Sequence, residues 1–269
     1  MPFSQIIRLS SAVNGIEYLL YVRTPPSYAD NPERRYRIVL TLDADYSFPL
    51  CAMHLEHLAD RMDQGPDAIL VSVAYAGAYP DRDRYRAERT RDYTPIAFPT
   101  GGYGPEFQRN SGGGPRFLDV LTDEVLPLIE ARFRTAPGQR TLVGHSYGGL
   151  FCCWVLQERP HAFDQYLSVS PSLWYADEWL LVREAAGERA ALTRPTLFYL
   201  GVGSWEEQPE RNQRMVSQAR RFGELLAARG DSNLQHEVRV FEDETHASIF
   251  PAAFSTGIRH LHYAARNSA

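Results

Sequence analysis

The chain has 269 residues, 44% of them hydrophobic, which suits one large α/β domain with a sizeable core. Its net charge of −5, with all 28 basic residues arginine, excludes an electrostatic footprint for nucleic acid or an anionic membrane, and also a P-loop lysine or a pyridoxal Schiff base. Three cysteines (Cys51, Cys152, Cys153) without C-x-x-C spacing argue against a disulfide framework or thiolate zinc site, and no metal or cofactor is expected.

The N-terminus lacks the basic start and apolar core of a leader, and no apolar run approaches the roughly 20 residues of a membrane span. A cytoplasmic protein is expected, or a periplasmic one had a leader been removed. Ile6 to Leu9 and Ile16 to Arg23, around Asn14-Gly15, predict a β-hairpin, because Asn-Gly supplies positive φ in a tight turn. Arg37 to Leu42 reads as a buried strand, Leu50 to Met62 as a helix, and Ala68 to Val73 as a strand covered on both faces.

From 76 to 114 the periodicity breaks, and a long irregular rim loop is expected there. Its arginines at 82, 84, 86, 89 and 91 face four carboxylates (Asp81, Asp83, Glu88, Asp92), so most of that charge is expected to pair with itself. Phe117 to Phe133 carries helical spacing with a kink at Pro127. Gln165 to Val169 and Thr196 to Val202 read as strands with a small helical cap, 172 to 194, between them. Val216 to Ala228 is a helix, Glu237 to Phe241 the last strand, and Ile249 to Ala264 the last helix. Strands alternating with helices predict an α/β fold with a mostly parallel, eight-stranded sheet and helices on both faces, in a single domain over 1–269.

The chemistry centres on Gly144-His145-Ser146-Tyr147-Gly148, a G-x-S-x-G pentapeptide between an apolar strand end and an apolar helix. A serine on such a strand-to-helix turn is exposed as a nucleophile, and the flanking glycines clear space for the strained backbone. Its hydroxyl needs a base, and the base needs an orienting carboxylate, in the order serine, acid, histidine at strand ends. His246, in the loop after the last strand, is the base candidate. Glu206 is the preferred acid, with Glu207 and Asp243 as rivals. Oxyanion donors are expected from the Tyr147 backbone N–H and from Asp45 or Ala44 after the third strand.

With these residues placed, the chain resembles the esterase D-like family of the α/β-hydrolase superfamily, and within it the ferric-siderophore trilactone esterases that open enterobactin, salmochelin or bacillibactin. The resemblance is carried by VLTLDAD, RDYTP, GGGPRFLDVLTDEVLPLIEARF, GHSYGGLF, SPSLWY, the stretch Gly203 to Glu206, and ETHASIFPAAF. It implies an α/β-hydrolase fold, Ser146 as nucleophile, His246 as base, Glu206 as acid, and Asp45 with Tyr147 at the oxyanion hole. Some members rely on a serine–histidine dyad, and Ala44 stands where the family's turn has glycine. The implied activity is hydrolysis of a carboxylic ester through an acyl-enzyme, with a small-molecule ester as partner, a ferric catecholate siderophore among the options. Feruloyl or acetyl ester hydrolysis, thioester hydrolysis and acyl transfer belong to the same family, and a non-catalytic binding protein is the remaining alternative. For a catecholate, Arg89, Arg91 and the stackable Trp205 are the expected contacts.

Overall fold

A computed structural model describes residues 1–60, 64–211 and 213–267. These residues contain an eight-stranded sheet and a two-stranded ribbon. They divide into two compact units, Met1–Thr141 and Leu142–Ala269.

In the first unit the hairpin forms as β1 (Ser4–Ser10) and β2 (Glu17–Arg23), antiparallel and in register from Ser4 opposite Arg23 to Ser10 opposite Glu17. Asn14 closes the turn, its side-chain oxygen accepting from the Ile16 N–H. The 3-10 turn Pro26–Tyr28 precedes β3 (Tyr36–Thr41), then α1 (Ala44–Asp60) and β4 (Ala68–Tyr75) follow. The strand order is β1-β2-β4-β3, parallel only between β3 and β4. Every residue of β4 is buried, as its AILVSVAY sequence requires. The predicted helix end at Met62 lies outside the described residues, and α1 begins six residues earlier than expected, at Ala44.

The segment expected to be irregular contains a helix, α2 (Arg82–Tyr93). Asp81 caps it by accepting from the N–H groups of Asp83 and Arg84. Its buried face is polar and aromatic (Tyr85, Arg89, Thr90, Asp92, Tyr93), so it has no apolar stripe for a periodicity argument to find. Short helices α3 (Pro105–Gln108) and α4 (Gly114–Asp119) follow. A π-helical stretch, Val120–Val125, leads into α5 (Leu126–Arg132). The Leu126 N–H reaches Leu121 O, five residues back, just before Pro127, so the ladder changes register where proline has no N–H to give. Tyr18, Tyr75, Tyr93 and Phe117 form a ring cluster in this unit, and Tyr18 donates from inside it to the buried Asp92.

The strand β5 (Thr135–His145) runs across the division and ends directly before Ser146. The second unit continues with α6 (Tyr147–Glu158), the 3-10 turn Pro160–Ala162, β6 (Gln165–Val169), α7 (Tyr175–Ala185) and β7 (Thr196–Gly203). After the 3-10 turn Ser204–Glu206 comes the ribbon of β8 (Glu207–Gln208) and β9 (Gln213–Arg214), with a 3-10 turn Pro209–Arg211 between them. Then α8 (Met215–Ala228), β10 (Leu234–Phe241) and α9 (Ile249–Asn267) complete the chain. Here β6, β7 and β10 are parallel neighbours, which brings their C-terminal ends to one edge. Cys152 and Cys153 are buried in α6 and unpaired with each other, in line with a packing role. No helix among the described residues is long and apolar enough to cross a membrane.

Candidate active site

Ser146 lies between β5 and α6 with φ 59° and ψ −116°, a conformation that costs an ordinary residue about 1–3 kcal/mol. The turn is tight because backbone crosses backbone. A Cβ on Gly144 would stand 2.2 Å from Gly148 O, and one on Gly149 would stand 2.7 Å from Val169 O and 3.0 Å from Pro171 Cα. The last glycine of GHSYGG, Gly149, is therefore fixed by the end of β6 and the loop after it, which lie against the start of α6.

His246 follows β10 and Glu206 follows β7, so parallel strand ends deliver both to the same place. His246 Nδ1 donates to Glu206 Oε2 at 2.5 Å. That bond fixes the neutral imidazole tautomer with Nε2 as the acceptor. Glu206 is 3% exposed, and its other oxygen, Oε1, accepts from Ser170 Oγ at 2.6 Å and from the Gly203 N–H at 2.8 Å. Three donors thus satisfy a carboxylate that burial would otherwise penalise. The His246 ring packs on His145 with centroids 4.6 Å apart, and its side chain keeps 43% of its exposure.

Among the described residues, His246 bonds to neither rival carboxylate. Glu207 accepts from the Ser217 N–H at 2.9 Å and from Ser217 Oγ at 2.5 Å. Asp243 sits at φ 61° with its N–H donating to Ser204 Oγ. Ser146 Oγ has Ser172 Oγ as its hydrogen-bond partner, at 3.4 Å, and among the described residues no hydrogen bond joins it to His246. Such bonds are often long in substrate-free enzymes and tighten when substrate binds. Tyr147 opens α6 with its ring buried against Trp174 and Tyr175, and its N–H belongs to the first, intrahelically unsatisfied turn. Trp205, next to Glu206, is 58% exposed.

In the first unit, Asp45 lies in the first turn of α1, and burial followed by the charge of Asp43 pushes its carboxyl pKa up. Arg89 is buried and bidentate on Asp43, Nε to Oδ1 at 2.7 Å and a terminal nitrogen to Oδ2 at 2.9 Å, and it also donates to Tyr103. Arg91 is bidentate on Asp92 and pairs with Glu88. Both guanidinium groups are thus engaged by carboxylates of their own unit. Sequence reasoning passed over Ser170 and Ser172, although the SPSLWY motif that carried part of the resemblance contains both.

Known proteins resemble this chain in sequence and in fold. A ferri-bacillibactin esterase of Bacillus subtilis is 26% identical over 96% of this chain and 89% of its own. A siderophore enterobactin esterase of Emericella nidulans is 32% identical over 71% of each chain. The crystal structure of an IroE-like serine hydrolase from Shewanella oneidensis superposes with a TM-score of 0.81 at 27% identity, over 97% of this chain and 80% of that one. The fold is that of an α/β-hydrolase. The profile of the family described as Putative esterase matches residues 10–261, so this chain belongs to the Putative esterase family and is an esterase.

Proposed function

We propose that Ser146, His246 and Glu206 hydrolyse siderophore esters through an acyl-enzyme. The observation that carries this reading is the buried Glu206 held 2.5 Å from His246 Nδ1, in the same unit as a serine strained at a strand-to-helix turn. His246 Nε2 takes the proton from Ser146 Oγ as the oxygen attacks the ester carbonyl, forming a tetrahedral oxyanion. The N–H group of Tyr147 is assigned to that oxyanion, a donor worth roughly 3–4 kcal/mol at the transition state. The imidazolium then protonates the departing alkoxide and leaves Ser146 acylated. Water repeats the sequence, releasing the carboxylic acid and restoring the serine.

Two relatives named for ferri-bacillibactin and enterobactin support a siderophore ester as substrate, and the narrower proposal is a cyclic catecholate trilactone. Trp205 is the proposed aromatic contact because it is exposed beside the acid. Arg89 and Arg91 do not supply an open anion site in this reading, since Asp43, Asp92 and Glu88 already neutralise them. Ser146→Ala should lower turnover of p-nitrophenyl acetate and of enterobactin by about 10⁴-fold or more. Retained turnover would overturn the nucleophile. Cleavage of simple esters with enterobactin left intact, free and ferric, would overturn the substrate class.

A further inference from the structure

The residues that follow β6, Ser170 to Trp174, touch both ends of the proposed catalytic machinery. Ser170, fully buried at φ 43°, donates to Glu206 Oε1 at 2.6 Å, while its own N–H is held by Gly201 O at 2.7 Å. Two residues on, Ser172 donates its N–H to the Ser146 carbonyl at 3.2 Å and places its hydroxyl 3.4 Å from Ser146 Oγ. Pro171 lies against Gly149, and Trp174 packs on Tyr147, the residue after the nucleophile. One five-residue segment therefore has hydroxyl contacts to the acid and to the serine, with rigid backing from proline and tryptophan.

We propose that this loop is the positioning element of the site: Ser170 fixes Glu206 toward His246, and Ser172 holds the Ser146 hydroxyl in place before substrate arrives. The proposal rests on Ser146, His246 and Glu206 being the catalytic residues. Its physical basis is that Glu206 Oε2 faces His246 only while Oε1 is held. With a long, rotatable side chain, the backbone N–H of Gly203 alone leaves Glu206 free to turn about one bond. The positive φ of Ser170 is the strained conformation that aims its hydroxyl at the acid, and strain of this kind persists where the surroundings hold it.

The test measures kcat and KM for p-nitrophenyl acetate. Ser170→Gly is the key variant, because glycine adopts positive φ without strain and removes only the hydroxymethyl group. It should keep its thermal midpoint while kcat falls about tenfold to hundredfold, the range for one hydrogen bond to a charged group, with KM within about twofold. Ser170→Ala should lower kcat similarly. Ser172→Ala, losing a neutral contact, should lower it by about two- to fivefold. In a Glu206→Gln background the Ser170→Gly loss should shrink towards nothing, because the hydroxyl acts through the acid. A folded Ser170→Gly enzyme with wild-type kcat, or the same fractional loss in the Glu206→Gln background, overturns the proposal. Failure of the underlying reading shows separately, as retained turnover in Ser146→Ala, and the positioning role falls with it.

Discussion

Two buried carboxylates, Asp43 in the first unit and Glu206 in the second, occupy the same kind of position and behave differently. Each follows a parallel strand, β3 or β7, and each collects three side-chain or backbone donors. Asp43 accepts from Tyr85 Oη at 2.6 Å and twice from Arg89. Burial works against the Arg89 charge, but Asp43 outweighs it and pushes the arginine pKa above its ordinary value. The guanidinium is always charged, and the Arg89 side chain is only 7% exposed. Glu206 instead faces His246, whose ring carries a second nitrogen and whose side chain reaches the surface. The partner decides the role: a guanidinium locks a fold, whereas an imidazole leaves the same geometry able to do chemistry.

The sharpest way to break this contrast is to neutralise each acid in turn. Glu206→Gln keeps acceptor and size but no longer stabilises the imidazolium, and kcat should fall by about 10³–10⁴-fold with little change in the thermal midpoint. Steady-state kinetics beside a melting curve check both halves, and near-normal turnover would favour a serine–histidine dyad. Asp43→Asn should show its effect in stability. It leaves Arg89 with an uncompensated buried charge, for which about 3–5 kcal/mol is the usual cost, readable by urea denaturation. A variant as stable as the wild type would mean that the Asp43–Arg89 pair is not a lock.

The same two carboxylates show what the sequence could disclose. Glu206 was legible as one of two adjacent acids after a strand, because the Ser-acid-His order and the strand ends locate it. Sequence preferred Glu206 but separates adjacent carboxylates poorly, and it is the folded turn that shows the Glu207 side chain bonded to Ser217 and the Glu206 side chain bonded to His246. The Asp43–Arg89 pair was illegible for a different reason. It depends on α2, whose buried face is built from Tyr85, Arg89 and Asp92, so a search for apolar periodicity reads it as loop. The available signal was Asp81 as an N-cap ahead of charges spaced three and four apart, such as Asp83 with Arg86 and Arg84 with Glu88. Strands β3, β4, β6 and β7 were found because burial on the sheet leaves runs of apolar and β-branched residues, whatever surrounds them.

A second histidine supplies the mildest test of the idea that the partner sets the role. His236, on β10, meets a backbone carbonyl, Gly223 O at 3.1 Å, where His246 meets a carboxylate. Burial lowers its pKa, with the charge of Arg229 adding to the effect and the carbonyl bond opposing it. The sign follows from which state takes the proton first. The unfolded chain protonates His236 near the ordinary histidine value of about 6.5 while the folded chain stays neutral, so this residue's contribution is intact above that pH and is lost as pH falls towards the lowered folded value. His236→Gln should therefore lose less stability than the wild type between about pH 7.5 and about pH 5.5 in thermal melts. An identical slope in both proteins would show that His236 titrates alike folded and unfolded, and that a carbonyl partner with partial burial is too weak to distinguish it from a solvated histidine.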